Sequence, residues 1–302
     1  MNETINVQKF SENEWQIQGI LTGNIQSKTV VILSHEGGYD KNENGLYPVI
    51  ENNTIKKIDN RTVFSRKKYG NYEILTNSLN ENNDVATFRY DLRNHGNSLE
   101  GDSYDRRDML YMRYAKDLRD IVKYLKNKYG FQNFCFVGTG VGSLINEYYL
   151  AKLWDRSFIV KSVVSIAPLT PQVIYNKDPN NKFIYQKQVN ILTNKKQFTG
   201  IKGIFEGPKT LYEAEENYNI TSEYAHLQIP TLYILSSQDK LYPSSVILPA
   251  IEQAEEINSH VTIEILSKQH DYGATDHGFY DPDSSNMMLE IVYLFLIDNL
   301  KK

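Results

Sequence analysis

Six short runs of β-branched and aromatic residues, each separated from the next by a longer stretch, constrain this chain more than any other feature. The runs are Thr29 to Leu33, Val85 to Tyr90, Asn133 to Val137, Val160 to Ile166, Thr231 to Leu235 and Val261 to Leu266, and most of them end where Ser, Gly or Asp begin. Strands alternating with helices build a mostly parallel sheet, because parallel neighbours need a crossover and a helix is the usual one. Helical patterns lie between them. Leu110 to Tyr129 carries Met112, Tyr114, Leu118, Ile121, Leu125 and Tyr129 at a three-to-four spacing and stops at Gly130, which predicts a helix with a glycine stop. Asn286 to Leu300 predicts an amphipathic helix that closes the chain. Ahead of the first run, Thr4 to Phe10 and Trp15 to Leu21 alternate in a way that suits an antiparallel hairpin at the sheet edge. The expected fold class is α/β, with a mostly parallel central sheet covered by helices on both faces.

Two stretches interrupt the alternation. Residues 38 to 64 are polar and asparagine-rich, follow the first buried run directly, and are too long for an ordinary connection. Residues 170 to 226 hold several short helix-like patches with aromatic residues and no good strand. At 302 residues a single large core is expected, so the chain reads as a core of residues 1–169 and 227–302 with a helical cap inserted at 170–226. Sites in such sheets form beyond the carboxyl ends of the strands, which lets both insertions overhang one cleft.

Composition removes several classes of partner. A formal net charge of -4 with acidic and basic residues interspersed lacks the basic stripe of a nucleic-acid binder. The N-terminus has no basic region followed by an apolar run, and no stretch of about eighteen apolar residues occurs, so no membrane span and a cytoplasmic location are expected. Cys135 is the only cysteine, which excludes an internal disulfide and a thiolate cluster. With no His-Glu-x-x-His spacing and no clustered acids, neither a metal nor another cofactor is expected. The sequence leaves the oligomeric state open.

The chemistry-bearing residues stand at the ends of the apolar runs. Residues 134 to 144, Phe-Cys-Phe-Val-Gly-Thr-Gly-Val-Gly-Ser-Leu, read as a strand entering a glycine-rich turn. A nucleophile elbow is such a turn: it lifts one side chain into a cleft, and the crowding demands glycine two positions to either side. Gly138 and Gly142 fill those places, but the apex is Gly140, where a serine would be expected. Ser34-His35-Glu36-Gly37-Gly38 follows the first buried run, and Asp91-Leu92-Arg93-Asn94-His95-Gly96-Asn97-Ser98 the second. Ser236-Ser237-Gln238-Asp239 follows the fifth, and Asp276-His277-Gly278-Phe279 comes late in the chain.

Over nearly its whole length the chain resembles the α/β-hydrolase superfamily, whose elbow, acid and histidine occur in this chain order. It looks closest to the branch of monoacylglycerol lipases, cinnamoyl and feruloyl esterases, and serine aminopeptidases. The resemblance implies that Asp239 orients the imidazole, that His277 is the base, and that the N–H groups of Gly37 and Val141 form an oxyanion hole. Two departures stand out: Gly140 at the nucleophile position and Glu36 where the family has glycine. His35 and Glu36 at the first turn, with Tyr175, Phe183, Phe205 and Tyr212 of the cap, are the expected substrate-binding residues. The implied activity is a serine-type hydrolysis of a bulky, largely apolar ester or lactone through an acyl-enzyme, here in a form without its nucleophile. The alternatives are a natural non-catalytic binding protein, a class the elbow also resembles through the N-myc downstream-regulated family, and a peptidase or thioesterase. Neither Ser143, Cys135 nor Thr139 is placed to replace the serine, and water activation by His277 is a further route.

Overall fold

In the computed structural model the described residues are 3–7, 17–36, 41, 45–48, 50–51, 54–55, 57–58, 61–62, 64–67, 70–93, 98, 111–175, 219–237, 239, 242–266 and 282–302. Eight strands form the main sheet: β1 (Glu3–Val7), β2 (Ile17–Gly23), β3 (Thr29–Ser34), β4 (Ala86–Tyr90), β5 (Asn133–Thr139), β6 (Ile159–Ile166), β7 (Thr231–Ser236) and β8 (Val261–Leu266). Their spatial order is β1-β2-β4-β3-β5-β6-β7-β8. β1 and β2 pair antiparallel, β2 pairs antiparallel with β4, and every later pairing is parallel. The predicted edge hairpin and all six runs are therefore strands of one sheet, but the last run, expected to be buried, is an edge strand in which only Val261 is buried.

Seven α-helices are described: α1 (Asn71–Asn82), α2 (Tyr111–Tyr129), α3 (Val141–Tyr148), which continues into a π-helical turn at Tyr149–Leu153, α4 (Pro171–Tyr175), α5 (Ile220–Ala225), α6 (Ser244–Ile257) and α7 (Pro282–Leu300). They cover both faces, because strand side chains alternate and both sets here are apolar. Val30 and Ile32 of β3, with Phe134 and Phe136 of β5, join a core with Leu118, Ile121 and Leu125 of α2, Leu144 of α3 and Ile251 of α6. Val31, Leu33, Cys135 and Val137 point the other way, to Leu75 and Leu79 of α1 and to Val292 and Leu296 of α7.

The long connection after β3 contains three short antiparallel ribbons, Gly45–Pro48 with Phe64–Lys67, Ile50–Glu51 with Thr54–Ile55, and Lys57–Ile58 with Arg61–Thr62. Its polar sequence carries no alternation that would have announced them. Of the segment 170–226 only the two flanks are described. α4 leaves the sheet and α5 returns to it, and both pack on α6.

Candidate functional site

The elbow is built as the glycine spacing requires. β5 ends at Thr139, α3 begins at Val141, and Gly140 alone makes the turn at φ 52° and ψ -112°. That positive φ is rarely adopted by an L side chain. Gly140 N–H donates to Ile166 C=O at 2.9 Å, while its own C=O accepts from the N–H groups of Ser143 and Leu169 at 3.1 and 3.2 Å. The flanking glycines are steric needs. A Cβ on Gly138 would stand 2.5 Å from the Ser143 nitrogen, and one on Gly142 would stand 2.0 Å from the Ser34 carbonyl oxygen. The end of β3 is thus pressed against the start of α3, and Tyr72 of α1 braces the contact by donating to Ser34 C=O at 2.8 Å.

Above the apex lies Glu36. A Cβ on residue 140 would fall 1.2 Å from Glu36 Oε2 and 2.2 Å from its carboxyl carbon, so the carboxylate fills the place where an elbow side chain would begin. The two departures seen in the sequence meet at one point. Glu36 is 4 % exposed, and its orientation is held. Tyr242 Oη donates to Oε1 at 3.2 Å, and the Tyr242 N–H donates to Asp239 Oδ1 at 2.8 Å. The chain Asp239, Tyr242, Glu36 therefore joins the end of β7 to the elbow. Tyr242 had no role in the sequence reading. Its signal was its place three residues after Asp239 and next to Pro243, which starts the turn into α6.

His35 is fully buried and works as a clamp between strand ends. Its Nε2 accepts the Leu92 N–H at 2.9 Å, so Nδ1 carries the proton and donates to the Glu36 C=O at 2.6 Å. The loop after β4 is held by other bonds as well. Asp91 accepts from the Lys41 N–H and ammonium at 2.7 and 2.6 Å. Ser98 donates to Asp91 C=O and accepts the Gln18 N–H, both at 2.9 Å. Arg93 grips Asp117 of α2 through Nε at 3.0 Å and Nη2 at 2.5 Å. Burial pushes the Asp117 carboxyl up, against the pull of Arg93.

The sequence-predicted residues divide as follows. Glu36, Gly140 and Val141 stand together at the elbow, with His35 directly beneath and Asp239 connected through Tyr242. Tyr175 ends α4. Gly37, Phe183, Phe205, Tyr212 and His277 lie outside the described residues. Of the nucleophile substitutes, Ser143 Oγ donates to Gly138 C=O at 2.7 Å and Thr139 Oγ1 is bonded to Tyr72 Oη at 2.9 Å. Cys135 is buried in β5, and burial raises its thiol to about 11. His226 and His260 are exposed. Among the described residues no group of three or more acidic, histidine or cysteine side chains is arranged to hold a metal, and no helix is long and apolar enough to cross a membrane.

A buried acid on α3 is a second feature that periodicity did not reveal. Glu147, 1 % exposed, accepts from Tyr233 Oη of β7 at 3.0 Å, from Thr221 Oγ1 of α5 at 3.0 Å and from Ser165 Oγ of β6 at 3.5 Å. Burial raises it to about 7, and the three hydroxyls oppose the rise.

Comparison with known proteins bears on the fold. Residues 62–201 match the family described as "Alpha/beta hydrolase of unknown function (DUF915)". No curated protein matches the sequence. Among solved structures, an esterase of Pyrococcus furiosus is similar at a TM-score of 0.60 and 15% identity, covering 98% of this chain and 91% of that one. The esterase EaEST of Exiguobacterium antarcticum is similar at 0.58 and 14% identity, covering 98% and 99%. Est1E of Butyrivibrio proteoclasticus, solved with ferulic acid bound, is similar at 0.61 and 14% identity, covering 97% and 98%.

Proposed function

We propose that this chain, which has the α/β-hydrolase fold, handles bulky, largely apolar carboxylic esters or lactones in a cleft above the elbow, and that it forms no acyl-enzyme. The observation that carries this reading is the position of Glu36, whose Oε2 lies 1.2 Å from where a Cβ of residue 140 would stand. Serine can occupy the apex only if that carboxylate is expelled, and the carboxylate is buried and tied to Tyr242. Glycine at 140 and glutamate at 36 are thus complementary. A serine removed from an otherwise unaltered hydrolase would leave a gap at the apex, and here the gap is filled.

A second reading, a serine esterase lacking only its nucleophile, draws support from the backbone. The elbow keeps φ 52° and ψ -112°, a conformation whose use in this fold is to present a side chain. On that reading serine at 140 attacks the ester carbonyl, His277 accepts the proton and Asp239 steadies the imidazolium. The cap, residues 170–226, would wall the acyl or alcohol side with its aromatic residues in either case.

Gly140→Ser, alone and combined with Glu36→Gly, separates the two readings with a fluorophosphonate probe and nitrophenyl esters. Covalent labelling and a product burst only in the double variant support a site built around glycine and glutamate. Labelling of Gly140→Ser alone, at the level of the double variant, supports the serine esterase and sinks the first reading.

A further inference from the structure

Glu36 brings a carboxylate to the place where the side chain of an elbow nucleophile would begin, and three observations bear on what it does there. Its Oε2 is directed at the apex, 1.2 Å from the site of a residue-140 Cβ. Its other oxygen is fixed by Tyr242 Oη, and Tyr242 is fixed by Asp239, so the carboxylate is oriented. Next to the apex, Val141 is the first residue of α3, where backbone N–H groups have no partner within the helix and attract negative charge. The Glu36 carboxylate and the first N–H of α3 thus both border the apex, without any side chain on residue 140.

We infer that Glu36 is a general base that activates water directly, from the place where an elbow side chain would begin. The inference deepens the ester-site reading above and rests on it. In the forward step a water O–H bond breaks, its proton passes to a Glu36 oxygen, and the water oxygen bonds to the ester carbonyl carbon. The carbonyl π pair moves onto oxygen, facing the Val141 N–H. Collapse of the tetrahedral species breaks the carbon–alkoxide bond, and the departing alkoxide takes the proton back from Glu36. Ester and water become acid and alcohol, and the carboxylate is regenerated with no covalent enzyme species. Glycine at the apex is then a requirement, because any larger residue would displace the base.

The test uses the full chain with nitrophenyl butyrate as substrate and the matching nitrophenyl butyl ether, followed by calorimetry, as a binding probe. Turnover above the buffer rate, without a burst and insensitive to fluorophosphonate, is expected of the unaltered protein. Glu36→Gln is expected to lower kcat by about 10²- to 10⁴-fold with KM little changed, and the solvent isotope effect on kcat should vanish with it. Glu36→Gly should recover part of the rate on addition of formate, which a purely structural glutamate would not allow. Turnover equal in Glu36→Gln and the unaltered protein overturns the inference, as does ether binding without any ester turnover. If neither ether binding nor turnover occurs, the ester-site reading falls and takes the inference with it.

Discussion

Three glycines around the elbow and its neighbouring helix separate two physical reasons for having no side chain. At Gly142 the backbone is ordinary, yet a Cβ would meet the Ser34 carbonyl oxygen at 2.0 Å. At Gly130, which ends α2 at φ 73°, the nearest foreign atom would be the flexible end of Lys28 at 4.0 Å. Gly140 combines both, with φ 52° and Glu36 at contact. Gly130→Ala should therefore cost only the left-handed backbone, about 1–2 kcal/mol. Gly142→Ala should cost more, about 3 kcal/mol or above, because two backbones must separate. Denaturant unfolding of the two variants checks the order, and equal losses would mean that the β3 to α3 contact is looser than described.

On the scale of elements, Glu147 of α3 is bonded at once to a helix and two strands. It sits on α3 and receives hydroxyls from Ser165 on β6, which precedes the insertion, from Thr221 on α5, which follows it, and from Tyr233 on β7. Its carboxyl is raised to about 7 by burial, whereas an unfolded chain would ionise it near 4.3. Between those values the unfolded state releases a proton that the folded state keeps. Its contribution is fully present below about pH 4.3 and is lost as pH rises through about 7, a change of about 4 kcal/mol. Glu147→Gln should flatten that part of the stability-pH curve, as measured by urea unfolding at several pH values. An unchanged slope in the variant would assign the dependence to other groups.

For the whole molecule, the flanks α4 and α5 both pack on α6, so the core can close without the residues between them. Replacement of residues 176–218 by a short Gly/Ser linker is expected to leave a cooperative thermal transition and, on the proposed function, to weaken ester binding. Loss of the transition would show that the insertion belongs to the core. The sheet was legible in the sequence because its central strands are buried on both faces: every residue of Val30-Val31-Ile32-Leu33 is apolar, and the chain has few other ways to write such runs. Helix α2 was legible through its period and its glycine stop. The ribbons after β3 were not, since two- to four-residue strands are too short to show a period. At the elbow the sequence by itself determined the turn, because glycine spacing is a local steric matter, and it showed that residues 36 and 140 each depart from the hydrolase pattern. Only the tertiary structure decided that these are one event. Contact between residues far apart in the chain depends on how the strands lie side by side: the register of β3 and β5 brings the Glu36 carboxylate onto Gly140, and the loop after β7 brings Tyr242 onto the carboxylate.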